Sequence, residues 1–237
     1  MIHVPSIAIG AGISAIVLVA VFLGLDNFLN EPELKIEGAP PIQESEPPKI
    51  TMMTFLDNGS PILGKTDAPV TLVEFGDYQC HFCNVFFHST EESIIRNYVD
   101  TGKVRMIFKD YNIIGSDSVT SSHGAHCASD QGLFWEYHDI LYSNWTGENN
   151  GWASSENQLR FAQEIGLDID QWSECMEKGI HSQTILASNE DARSLELGGT
   201  PTFFVIGPDG SITRLFGAQP YEVFLKTFET ELEKSKN

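Results

Sequence analysis

The order of apolar segments predicts an α/β fold: one mixed sheet flanked by helices, an all-helical subdomain inserted in its middle, and a transmembrane helix at the N-terminus. Three observations carry this. Short runs rich in β-branched residues fall into two groups, near residues 68–111 and 202–217, with a long helical pattern between them. In the first group a strand, a helix and a strand follow one another, a βαβ unit whose crossover makes the two strands parallel. Finally, IAIGAGISAIVLVAVFLGL, Ile7 to Leu25, runs without a charge.

The chain of 237 residues, 41% of them hydrophobic, is long enough for one sizeable domain with appendages and a tight fit for two. Fourteen basic residues against 33 acidic ones give a formal charge of −19, which repels phosphate backbones and argues against nucleic acid as a partner. The acidity otherwise reads as a solvated surface.

As a helix, Ile7–Leu25 roughly spans the hydrocarbon core of a bilayer, so residues 1–25 are expected to be a membrane anchor. A cleavable signal peptide is the rival reading, although its apolar core is usually only about 7–15 residues and no clear small-x-small site follows Leu25. A buried core helix fits less well, because the run is apolar all round and acidic, Pro-rich chain follows it. Residues 26–50 hold five prolines and six acids with no apolar periodicity. They read as a disordered tether of about 25–30 Å mean reach.

From residue 51 to 237 the pattern is globular. TMMTFLDNGSPILG reads as a short strand and a turn, and APVTLVEF, Ala68 to Phe75, as a buried strand. Cys83, Phe86 or Phe87, Ile94 and Tyr98 recur at helical spacing, and the helix ends before Thr101. VRMIFKDY then places Val104, Met106 and Phe108 on one face of a second strand. Residues 118–198 give one helical pattern after another, broken near Gly132, TGENNG, Gly166 and Gly179, with Ser155 and Gln158 as a capping box. Strands return as Thr202 to Ile206 and SITRLFG around a Pro-Asp-Gly turn, before a last helix from Tyr221 to Lys234.

Cys80 and Cys83 stand where the buried strand gives way to the helix, in VEFGDYQCHFC. Zinc would want a second ligand pair at short spacing, and Cys127 and Cys175 stand far apart. A structural disulfide across two residues is strained and readily reduced. Two inert core thiols would leave the position unexplained. A redox pair uses it: unpaired N–H groups and the positive end of the dipole favour a thiolate at Cys80, an exposed nucleophile, while Cys83, one turn inward and buried, can close a ring onto it.

Strand, EFGDYQCHFC, helix, helical insertion, then GGTPTFFV resembles the DsbA-like thiol-disulfide oxidoreductases of the thioredoxin superfamily over about residues 52–234. The lead-in GSPILGKTDAPVTLVEFGDYQC is similar to membrane-anchored members from Gram-positive bacteria and archaea. The resemblance implies a thioredoxin-like sheet, Cys80 as nucleophile and Cys83 as resolving cysteine. It implies a cis proline at Thr200-Pro201 lying against the disulfide, where the backbone just before it holds an extended peptide. Glu74 would be the buried acid that exchanges protons with the resolving thiol. From the residues alone, Pro201 is also a simple turn and Glu74 a surface acid, the latter weakened by a strand buried on both faces. The dipeptide His81-Phe82 departs from the best-known members, which carry Pro first and often His second. A cationic imidazole near Cys80 would still favour its thiolate, here from the other position of the dipeptide.

With Cys80 and Cys83 taken as the redox pair, elimination leaves Cys127 and Cys175 for a structural disulfide, with two free buried thiols as the alternative. His123 and His126 beside Cys127, and Phe134, Trp135 and Tyr137, read as packing residues. Asn58-Gly59-Ser60 and Asn144-Trp145-Thr146 are glycosylation sequons by pattern. No cofactor and no metal are expected.

The function these readings lead to is an extracytoplasmic enzyme, single-pass and monomeric, that introduces disulfides into secreted or surface proteins still folding. A membrane partner resembling DsbB or a vitamin K epoxide reductase-like protein would re-oxidise it. The alternatives are an isomerase or reductase of the same fold, or a thiol- or metal-binding module without turnover.

Overall fold

The computed structural model describes residues 50–235. The expected anchor, and the tether up to residue 49, lie outside them. Among the described residues no helix is long and apolar enough to cross a membrane.

Val70–Gly76 (β1) has every residue buried, because strands flank it on both edges and helices cover both faces. Val104–Asp110 (β2) pairs with it in parallel, Val70 opposite Val104 and Gly76 opposite Asp110. On the other edge Thr202–Ile206 (β3) runs antiparallel, Phe75 opposite Thr202, and Ile212–Phe216 (β4) closes the sheet in the order β2-β1-β3-β4. β4 is an edge strand with no fully buried residue.

The first expected strand is a helix instead. Met53–Leu56 (α1) forms one turn, closed by the Asp57 N–H donating to Met53 O at 2.9 Å. The turn tucks Phe55 against Phe204, ring centres 4.9 Å apart. The strand-like pairing falls later, where Leu63 bridges Met106 antiparallel.

The helix after β1 starts as His81–Phe86 (α2) and continues to Val99 through π-helical Phe87–Glu91, α-helical Glu92–Ile94 and π-helical Ile95–Val99. A π-turn holds one more residue than an α-turn, so each one shifts the buried stripe around the helix. The first turns both Thr90 and Glu91 inward. One apolar layer joins this helix and the last one, Tyr221–Lys234 (α8), to the sheet through Leu72, Phe86, Ile94, Phe203, Phe224 and Phe228.

Between β2 and β3 lie Ser116–Ser129 (α3), Phe134–Ser143 (α4), Ser155–Glu164 (α5), Ile169–Lys178 (α6) and Ser182–Ser194 (α7). The cap of α5 is Ser154, one residue before the expected Ser155; its hydroxyl accepts from the Asn157 N–H at 3.5 Å. Ser154 has extended backbone (φ −60°, ψ 157°), the conformation a cap requires, and Ser155 is already in the helix. Gly179 ends α6 in the left-handed region, φ 57°. Gly124 lets α3 approach α4, since a Cβ there would lie 2.7 Å from the Tyr137 hydroxyl. α7 packs Ala192 onto the sheet face formed by Val73, Phe75 and Phe204. The other helices enclose a separate core of aromatics that reaches Tyr78, Cys80 and Cys83.

Candidate active site

β1 delivers the chain into the turn Asp77-Tyr78-Gln79, and Asp77 fixes that turn. Its carboxylate accepts from the N–H groups of Gln79 (2.8 Å), Ile113 (2.8 Å) and Ile114 (3.0 Å), tying the turn to the loop after β2. Burial raises the Asp77 pKa, and the Ser118 hydroxyl and these three N–H groups oppose the rise. The helical insertion holds the turn from the other side. The Trp145 indole donates to Gln79 O at 2.8 Å, the Tyr142 hydroxyl to Asp77 O at 3.3 Å, and the Gln79 amide takes the Asn149 N–H at 2.8 Å. These residues carry no motif that a sequence reading finds. Asp77 alone left a signal, an Asx turn three residues before a cysteine.

Cys80 is the N-cap of α2, with extended backbone, and its carbonyl takes the first helical bond from the Asn84 N–H at 3.0 Å. Its thiol donates to Thr200 O at 3.3 Å. The pKa of Cys80 is lowered to about 6. The Cys83 thiol donating to its sulfur is the largest cause, and burial opposes it. The Thr200 hydroxyl and the N–H groups of Cys83 and Phe82 add to the lowering. Cys83 is wholly buried and its thiol is pushed up, first by burial, then by Cys80 and by the charge of Glu74. The expected exposed nucleophile is corrected here: Cys80 keeps only 5% of its surface, because Thr200 and the helical insertion close over it. Phe82, at 59%, and His81 are the exposed groups of the motif.

Glu74 lies on the buried sheet face toward α2 and is 1% exposed. Its pKa is raised well above the ordinary carboxyl value by burial, by the charge of Glu91 and by Cys80. His81 is exposed; its N–H donates to Glu148 Oε1 at 3.1 Å, and its ring lies 5.6 Å from Trp145. It is not among the leading causes of the lowered Cys80 pKa. Thr200-Pro201 is a cis peptide. The adjoining loop is shaped by Gly217 N–H donating to Pro201 O and by the Thr202 hydroxyl donating to Gly199 O, both at 2.8 Å.

Cys127 on α3 and Cys175 on α6 form a disulfide, Cα atoms 5.8 Å apart. His126 beside it donates to or accepts from Asp110 Oδ2 at 2.7 Å and stacks on His181, a packing role. Phe134 and Tyr137 lie in the same core, with Trp135 half-buried against it. Of the sequon asparagines, Asn58 donates to Asp191 at 3.3 Å and Asn144 to Ile140 O at 2.9 Å.

Comparison with known proteins agrees with this geometry. A family described as Thioredoxin matches residues 57–212. The probable disulfide bond formation protein D of Bacillus anthracis is 28% identical over 149 residues, 61% of this chain and 69% of that protein. Disulfide bond formation protein D of Bacillus subtilis is 26% identical over 178 residues, 74% and 78% of the two chains. In fold the chain is similar to the oxidised BdbD of Bacillus subtilis, with a TM-score of 0.66 and 24% identity over 73% of this chain and 93% of that one.

Proposed function

The chain belongs to the thioredoxin family and is a DsbA-like thiol-disulfide oxidoreductase that forms disulfides, and from that premise we propose that Cys80 is its exchanging sulfur, Cys83 its resolving sulfur, and secreted or surface proteins its substrates. In the oxidised enzyme a substrate thiolate attacks Cys80 of the Cys80–Cys83 disulfide. A mixed disulfide forms, and Cys83 leaves as a thiolate that takes up a proton. A second substrate thiolate then attacks the substrate sulfur of the mixed disulfide and expels Cys80 as a thiolate. The substrate loses two electrons and the enzyme gains them.

The observation that carries this reading is the opposite displacement of two thiols one turn apart, Cys80 down to about 6 and Cys83 up. A low pKa makes Cys80 the better leaving group and stabilises the reduced enzyme, which drives electrons toward it. Glu74, behind the pair, is suited to exchange a proton with Cys83. The cis Thr200-Pro201 loop, with Phe82 exposed in the motif beside it, is suited to hold an extended peptide.

We place the domain outside the cytoplasm, held by residues 7–25 and re-oxidised by a membrane partner resembling DsbB or a vitamin K epoxide reductase-like protein. The apolar run in the sequence and the Cys127–Cys175 disulfide, at home in an oxidising compartment, support this. Recovery of the mature protein in a soluble fraction, its N-terminus beyond residue 25, overturns the anchor.

Trapping tests the assignment of roles. When the Cys83→Ala variant attacks a substrate disulfide, it should accumulate mixed disulfides that nonreducing electrophoresis resolves, and Cys80→Ala should accumulate none. Equal trapping by the two, or trapping through Cys127 or Cys175, refutes it. An equilibrium with glutathione that leaves Cys80–Cys83 mostly oxidised would refute the oxidising direction and favour a reductase.

A further inference from the structure

We propose that Glu91, His138 and Asp139 bind one divalent transition-metal cation of the zinc class where the first π-turn of α2 meets α4. Glu91 is 1% exposed and His138 fully buried, yet both Glu91 carboxylate oxygens and His138 Nε2 are without a hydrogen-bond partner among the described residues. Buried polar atoms left this way are costly and call for a ligand.

The spacing fits a metal better than a hydrogen bond. Glu91 Oε1 and His138 Nε2 are 3.4 Å apart, longer than the 2.7–3.2 Å of an N–H···O bond. Two ligands each about 2.0–2.1 Å from a tetrahedral ion stand about 3.3–3.4 Å apart. Asp139 supplies a third donor, one ligand atom from each of the three residues lying within 4.8 Å of the others. Asp139 is exposed, so its side chain is free to close the remaining distance. Glu91 and Asp139 both line a cavity of about 370 Å³ that has room for water as a fourth ligand.

His138 is held for this task. Its Nδ1 lies 3.3 Å from the Tyr78 hydroxyl, and when Nδ1 carries the proton and donates it there, the Nε2 lone pair faces Glu91. Phe108, Trp135 and Tyr142 pack around the ring at 5.0–5.1 Å and keep it from turning. One imidazole nitrogen with two carboxylates suits zinc, whereas calcium and magnesium take oxygen ligands. Glu91 lies 47 positions before His138, and His138 and Asp139 are adjacent, which is why no spacing rule finds them.

The test uses the full-length chain with Cys80–Cys83 oxidised, so that no thiol competes, stripped with chelator and titrated with zinc chloride by calorimetry. One equivalent should bind. Glu91→Gln should weaken binding by about 100-fold or more and Asp139→Asn by at least about tenfold. Cobalt(II) in place of zinc should show visible bands of nitrogen and oxygen ligation without the charge-transfer band of thiolate. Should Glu91→Gln fail to fold, Asp139→Asn, altered at an exposed position, still decides. No binding by the unaltered chain, or binding undiminished in Asp139→Asn, overturns the proposal, and neither result depends on oxidoreductase activity.

Discussion

The molecule carries two cysteine pairs in contrasting settings. Cys80 and Cys83 sit at the start of a helix, one turn apart, the Cys80 thiol lowered chiefly by the Cys83 thiol and the Cys83 thiol raised by burial, by Cys80 and by Glu74. Cys127 and Cys175 sit on two helices of the insertion, separated by 48 positions, among packed aromatics. The first arrangement closes a small ring and stabilises one sulfur as a thiolate, which suits a bond made and broken repeatedly. The second closes a long loop with both sulfurs inside helices rather than at a helix start, which suits a bond made once. What separates the pair proposed to exchange from the structural one is the backbone around the sulfur and the depth at which its charged neighbours are buried.

Removing the first pair should have the largest effect. Cys80→Ala should reduce disulfide formation in a reduced model substrate to the uncatalysed rate while leaving the thermal midpoint of the reduced protein within a few degrees. Catalysis surviving in Cys80→Ala would collapse the contrast between the pairs.

Removing the second should do the reverse. The double variant Cys127→Ala, Cys175→Ala gives up a loop whose closure is worth roughly 4 kcal/mol in the chain-entropy picture, with about 2–4 typical of such bonds. Denaturant unfolding should show that loss, and the folded fraction should still exchange disulfides. A double variant as stable as the parent would make this disulfide ornamental.

Much of this contrast was readable in the sequence. The C-x-x-C lies where β-branched residues stop and helical spacing starts, and elimination paired the other two cysteines. The long helical block announced an insertion by its lack of strands. What could not be read depends on tertiary contact. Phe55 is drawn down by Phe204 and Phe75, so a strand-like run becomes a turn of helix. Two π-turns alter which residues of α2 face inward, so Glu91, a surface acid by composition, is buried. The clamp on the active-site turn comes from Tyr142, Trp145 and Asn149, polar or aromatic residues with nothing local to mark them.

Glu74 gives a smaller effect and sharpens the difference between the pairs: it is buried beside its own pair, whereas the carboxyl beside the other disulfide, Asp130 at 3.7 Å from Cys175 Sγ, is exposed. Its folded pKa is raised above that of the unfolded chain, so the unfolded state releases its proton first as pH rises. Stability is fully present below the ordinary carboxyl pKa and declines as pH climbs toward the raised one. Glu74→Gln, of the same shape and without charge, should remove that slope and stabilise the oxidised protein at neutral pH by about 1–3 kcal/mol. In the reduced protein it should also lower the Cys83 pKa, because one of the charges raising it is gone. An unchanged pH–stability profile would show that Glu74 is relieved in some other way.

The smallest effect tests where the asymmetry of the first pair comes from. His81 is adjacent to Cys80, but its ring leans on Trp145 in solvent, and the thiolate is stabilised chiefly by the Cys83 thiol. His81→Ala should therefore shift the Cys80 titration, followed by thiolate absorbance, by less than about half a pH unit, since an exposed charge a few ångströms away is worth little in water. Cys83→Ala removes the largest stabilising contact and should move the midpoint well up from about 6 toward the value of an ordinary thiol. The same shift sets a linkage. With its folded pKa depressed, Cys80 stabilises the reduced protein above the ordinary thiol pKa, and this contribution is lost as pH falls through about 6. The oxidised protein has no such proton to lose, so the stability of the reduced form relative to the oxidised form should rise from pH 6 to about 8.5. His81→Ala should keep that rise and Cys83→Ala should flatten most of it. The opposite ranking would move the source of the asymmetry from the buried thiol to the exposed imidazole.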